Sequence, residues 1–76
     1  MNKVRRKELQ EIYDIISEVK ERLETVHDEE EEYKDNIPEN LQGSERYERA
    51  EAAVDALDSA VSSLEEALDH IEEAQE

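Results

Sequence analysis

Two heptad tracks, separated by one short segment that holds the chain's single proline and single glycine, limit what this sequence can fold into. In the first half, Leu9, Ile12, Ile16, Val19, Leu23, Val26, Glu30, Tyr33 and Ile37 stand alternately three and four residues apart. In the second half, Tyr47, Ala50, Val54, Leu57, Val61, Leu64, Leu68, Ile71 and Gln75 repeat that spacing. Only Glu30 and Gln75 among them are polar. An apolar period of 3.5 residues sustained over about four heptads is a coiled-coil seam, because it returns one helical face to the same partner every two turns.

The segment between the tracks reads NIPENLQGSERYE. Pro38 pushes the residue before it out of the helical region, Gly43 permits a turn, and Ser44 suits a helix N-cap. The expected organisation is therefore one domain over residues 1–76, with helix 1 over 3–35, a loop over 36–43 and helix 2 over 44–74. A connection so short makes the helices antiparallel neighbours. The fold class is all-α, a coiled-coil-like two-helix hairpin.

The register follows from the same residues. Facing seam positions in an antiparallel pair have a constant index sum, and 37 with 47, 30 with 54, 23 with 61 and 16 with 68 each give 84. With Leu9 and Val54 labelled a, the e column of helix 1 is Arg6, Tyr13, Lys20, His27 and Lys34. The e column of helix 2 is Glu51, Asp58, Glu65 and Glu72. The columns meet as Lys34–Glu51, His27–Asp58, Lys20–Glu65 and Tyr13–Glu72. Exposed pairs of this kind contribute little energy each, but together they disfavour other registers. The basic start, Lys3, Arg5, Arg6 and Lys7, has the wrong sign for a helix N-terminus, and Glu72, Glu73 and Glu76 have the wrong sign for a C-terminus. In the hairpin these clusters lie side by side, so an intramolecular clamp is expected.

One seam cannot bury everything apolar. Ala53, Ala60, Ala67 and Ala74 recur every seven residues in the g column of helix 2, and Ala56 extends that small-residue surface. Ile15 and Tyr13 widen the apolar face of helix 1. Columns of small residues let a further helix backbone approach closely, and a 76-residue hairpin with few large apolar side chains is marginal alone. The expectation is a homodimer, a four-helix bundle built through Tyr13, Ile15, Ala53, Ala56, Ala60, Ala67 and Ala74.

Charge bounds the partners. With 24 acidic and 9 basic side chains the formal charge is −15, which repels nucleic acid and anionic membranes and attracts basic protein surfaces. Neither a signal-peptide core nor an apolar run long enough to span a bilayer is present, so a cytoplasmic location is expected. Two helices of this length make a rod of about 50 Å with about one carboxylate per 2 Å, against one phosphate per ≈1.7 Å of duplex axis. That density suits a nucleic-acid mimic that occupies the basic groove of a DNA-binding protein. The run Asp28, Glu29, Glu30, Glu31 and Glu32 is the candidate partner-binding face. The rival reading is a structural hairpin that docks through its Ala-rich face while its charge serves solubility.

Catalytic and metal signatures are weak. Glu24 and His27 have the Glu-x-x-His spacing of di-metal bundles, but Glu24 falls on the outer b column and no second such pair exists. Glu66 and His70 are an exposed pair four residues apart. The string from Asp28 lacks the glycine and terminal glutamate of a calcium loop. No nucleophile–base pair or glycine-rich phosphate loop occurs, so a non-enzyme without metal or cofactor is expected.

Asn36, Pro38, Glu39, Leu41, Gln42, Ser44 and Glu45, followed by the heptads from Val54 to Ile71, carry a resemblance. With its basic start KVRRKEL, the chain resembles small acidic helical-hairpin proteins encoded in phages and mobile elements of Gram-positive bacteria. No active residues carry over from that family. The resemblance implies a phage or prophage accessory protein acting in the host cytoplasm, including one that blocks a host defence system.

Overall fold

The structure is a computed structural model that describes residues 1–76 throughout. Helix α1 spans Lys3–Asp35, a single 3-10 turn covers Glu39–Leu41, and α2 spans Glu45–Gln75. Two helices in contact and no strands make it an all-α helical hairpin.

Local chemistry sets each boundary. Asn2 caps α1, its side-chain oxygen accepting from the Arg5 amide at 2.8 Å. Ser44 caps α2 by accepting from the Tyr47 amide at 3.3 Å. Before Pro38, the Asn36 amide donates to Glu32 O and the Ile37 amide to Lys34 O, and the chain then leaves the helix. Gly43 has a negative φ, so the turn does not use its access to the left-handed region.

The molecule is a rod of 59 × 15 × 13 Å with a radius of gyration of 17.3 Å. A compact globule of this chain length has a radius of gyration of roughly 11 Å. Only Ile37, Ala50, Val54 and Leu68 are buried, three of them on α2. The solvent-accessible area is 5761 Å², roughly 1,000 Å² above the area scaling for a compact monomer of this mass. The hairpin therefore has a seam but hardly a core.

That seam is lopsided. The a column of α1 is half-buried against α2, as is its e column from Tyr13 through Lys20 and His27 to Lys34, while Arg6 at the start of that column is exposed. The d column turns outward, with Ile12 at 36%, Val19 at 43%, Val26 at 50% and Tyr33 at 42% exposure. The heptad pattern places a and d symmetrically, whereas α1 is rotated toward its e side. Polar closure of that side supplies the reason. Lys20 and His27 reach across to carboxylates on α2, whereas the opposite flank is bridged at its loop end, where Arg46 donates to the Tyr33 hydroxyl, and is left open along its middle.

Candidate functional site

Five consecutive helical residues turn through more than a full circle, so the run from Asp28 to Glu32 cannot form one face. The structure divides it. Asp28 and Glu31 turn to His27, with Asp28 Oδ1 at 3.0 Å from Nδ1 and Glu31 Oε2 at 3.7 Å from Nε2. Glu29 and Glu32 are exposed and unpaired. Glu30, on the seam column, is half-buried in a shallow cleft lined also by Tyr33, Glu45, Arg46, Arg49 and Ala50. In that cleft Arg46 Nε donates to the Tyr33 hydroxyl at 2.6 Å, its guanidinium carbon 5.2 Å from the ring centre. Arg49 pairs with Glu45. The two arginines thus bring positive charge beside Glu30, without an ion pair to it.

The wider acidic surface is the outer face of α1. Asp14, Glu21, Asp28 and Asp35 stand seven residues apart in the f column, flanked by Glu11, Glu18 and Glu32, and all are exposed. On α2, Glu51, Asp58, Glu65 and Glu72 line the adjoining edge, also exposed. The heptad spacing of this ladder is the same signal that reveals the seam.

Two of the four expected cross-strand pairs form. Lys20 Nζ lies 3.7 Å from Glu65 and 3.0 Å from Glu24, and His27 Nε2 lies 2.8 Å from Asp58 Oδ1. The hydrogen bond to Glu24 holds Lys20 above its usual pKa. His27 is likewise held above its usual value, chiefly by its hydrogen bond to Asp28 and partly offset by burial, with Asp58 and Glu31 adding to the rise. Lys34 and Glu51 form no ion pair, nor does Tyr13 bond to Glu72. The clamp expected at the termini is not formed either, since no ion pair joins Lys3, Arg5, Arg6 or Lys7 to Glu72, Glu73 or Glu76. Adjacent columns bring such residues near each other, but long exposed side chains gain too little to be held in one geometry.

The opposite flank is apolar along its middle, although Glu8, Arg22 and Glu29 share the g column of α1 with Ile15. Ile15, 61% exposed, joins Ile12, Val19 and Val26 in a stripe along α1, with a shallow groove lined by Val19, Arg22, Leu23, Thr25 and Val26. The e columns meet on one side of the hairpin, so the g column of α2 lies on the other, beside this stripe. There Ala53, Ala60 and Ala67 are half-buried, while Ala56 and Ala74 are exposed. Tyr13, in the e column, sits on the acidic side and does not share this face. The middle of α2 is almost free of charge, since Asp58 is the single ionisable residue between Ala56 and Leu64.

No helix is long and apolar enough to cross a membrane. No family model, curated protein or solved structure matches the chain.

Proposed function

We propose that this protein is a non-enzymatic, acidic protein-interaction module that pairs with a second copy through its apolar flank and presents its carboxylate ladders to a basic protein surface. The observation that carries the proposal is the division of one rod into an acidic and an apolar side. A chain that needed charge only for solubility has no use for an unpaired apolar stripe.

The dimer is supported by area and shape. A standard interface removes about 800 Å² from each partner, close to the excess that this rod exposes over a compact monomer. Large side chains line α1 and small ones line α2, so a two-fold axis seats Ile15, Val19 and Val26 of each copy on the Ala53, Ala56, Ala60 and Ala67 column of the other. The uncharged centre of α2 keeps like charges at the rim, where two chains of −15 repel least.

The basic partner is supported by charge density. Along the 59 Å rod, 24 carboxyl side chains give about one per 2.5 Å, sparser than duplex phosphates singly and denser than them when two rods pair. A nucleic-acid-binding protein is the partner class that such a ladder suits, and inhibition by occupying its groove is the corresponding role. The resemblance to phage-encoded hairpins, carried by the Asn36-to-Glu45 loop, supports an accessory protein that meets its target in a host cytoplasm. The non-enzymatic part rests on shape, since shallow surface grooves do not enclose a substrate.

A second reading is favoured by the same apolar stripe: the flank docks onto a larger helical assembly and the acidity only solubilises. Affinity capture from host lysate at low and high salt separates the two. The proposed module loses its partner steeply with salt, and again when Glu29, Glu30, Glu31 and Glu32 are changed to Gln. Capture that survives both changes but fails for Ala60→Glu overturns the acidic-face reading in favour of docking.

A further inference from the structure

We infer that two copies pair side by side in parallel, with both loops at one end, about a two-fold axis that runs along the rod. This arrangement sets the acidic flank of α1 against the acid-free flank of α2 in the second copy. It rests on the self-association proposed above and adds the orientation and register of the partner.

The signs of the columns carry the argument. On the side away from the Lys20 and His27 bridges, each helix shows its g column, with its c column just outside. In α1 these columns hold the carboxylates Glu8, Glu11, Glu18, Glu29 and Glu32, all exposed, and a single cation, Arg22. In α2 they hold Arg46, Arg49 and His70 among alanines and one serine, and none of the carboxylates of that strongly acidic helix. The hairpin does not match these charges itself. Arg49, whose side chain is 79% exposed, pairs with Glu45 on its own helix, and His70 with Glu73. Arg46 donates to the Tyr33 hydroxyl and meets no carboxylate of α1.

Two hairpins laid flank to flank have two symmetric arrangements. A two-fold axis perpendicular to the rod lays α1 on α1 of the second copy, which sets the acidic flank against itself. A two-fold axis along the rod lays α1 on α2 of the second copy instead, acid against cation. Opposed columns of opposite sign select orientation here, as they select register on the other edge.

The register follows because an axis along the rod changes no residue's height. Residues whose index sum lies near the 84 of the seam therefore still face each other between copies. At a sum of 86, Ile12, Val19 and Val26 meet Ala74, Ala67 and Ala60 of the second copy. At a sum of 81, Glu11 meets His70 and Glu32 meets Arg49 of the second copy. A sum three short of 84 is a displacement of about 4.5 Å along the rod, within the span of an arginine side chain. The other loop-end acids, Asp28, Glu31, Asp35, Glu45, Glu48 and Glu51, fall on the b, e and f columns, away from the second copy.

Double electron–electron resonance on the full chain reads the orientation, because the sequence has no cysteine and one label site can be added at a time. Gly43→Cys places the label in the loop, at a position with a negative φ and open space for a side chain. Glu76→Cys places it at the exposed far end. In the parallel dimer, each variant should give a distance between copies within about 30 Å, roughly three helix diameters. Distances near the 59 Å length of the rod at both sites would overturn the parallel arrangement while leaving the dimer in place. A single-chain mass in light scattering at the labelling concentration, with no dipolar signal from either variant, would overturn the pairing itself.

Discussion

Along one edge of the hairpin Lys20 and His27 reach over the seam to Glu65 and Asp58. Along the other, Ile12, Ile15, Val19 and Val26 meet nothing large, and a column of alanines lies beside them. The same two helices build both edges. Ion pairs at the first are worth little energy but specify register. The apolar second edge would add stability only if a second copy covered it, because burial of such surface contributes about 25 cal/mol per Å².

The comparison breaks most sharply at Val19. Val19→Glu should put an unpaired charge at the centre of the proposed dimer and raise its dissociation constant at least a hundredfold, about 3 kcal/mol. Sedimentation equilibrium reads this directly. Ser62→Glu, on the other edge, should leave the mass unchanged.

Leu68→Ala, at one of the four buried residues, should cost about 2–4 kcal/mol in urea unfolding. Ile15→Ala made in the dissociated Val19→Glu background should cost less than about 1 kcal/mol. Equal costs would mean that the stripe is already covered within the single hairpin.

Glu30→Leu replaces the half-buried charge on the seam column and should stabilise the chain by about 1 kcal/mol, with slower amide exchange confined to the loop-proximal turns.

The smallest effect concerns pH. The pKa of His27 is raised in the folded chain, chiefly by Asp28, so its contribution is fully present below the unfolded value of about 6.5 and is lost as pH rises through the higher folded value. The stability difference between the parent and His27→Gln should therefore shrink with rising pH across that window. A difference that grows would contradict the pairing.

Much of the hairpin was legible because seam spacing and index sums are properties of the backbone register. The e columns foretold His27–Asp58 and Lys20–Glu65 for the same reason. Rotation of α1 about its own axis was not legible. Periodicity shows which residues are apolar, whereas the extent to which Val19 or Lys20 faces α2 depends on which flank closes first. The termini show a related limit, since Lys3 and Glu76 can share an end of the rod without forming an ion pair.

The central claim, that the apolar edge is a self-association surface, is tested most directly by the mass of the unmodified chain. Multi-angle light scattering at high micromolar concentration should give twice the 8.9 kDa of one chain, falling toward a single chain on dilution. A mass of one chain at every concentration, with full helicity, would contradict it.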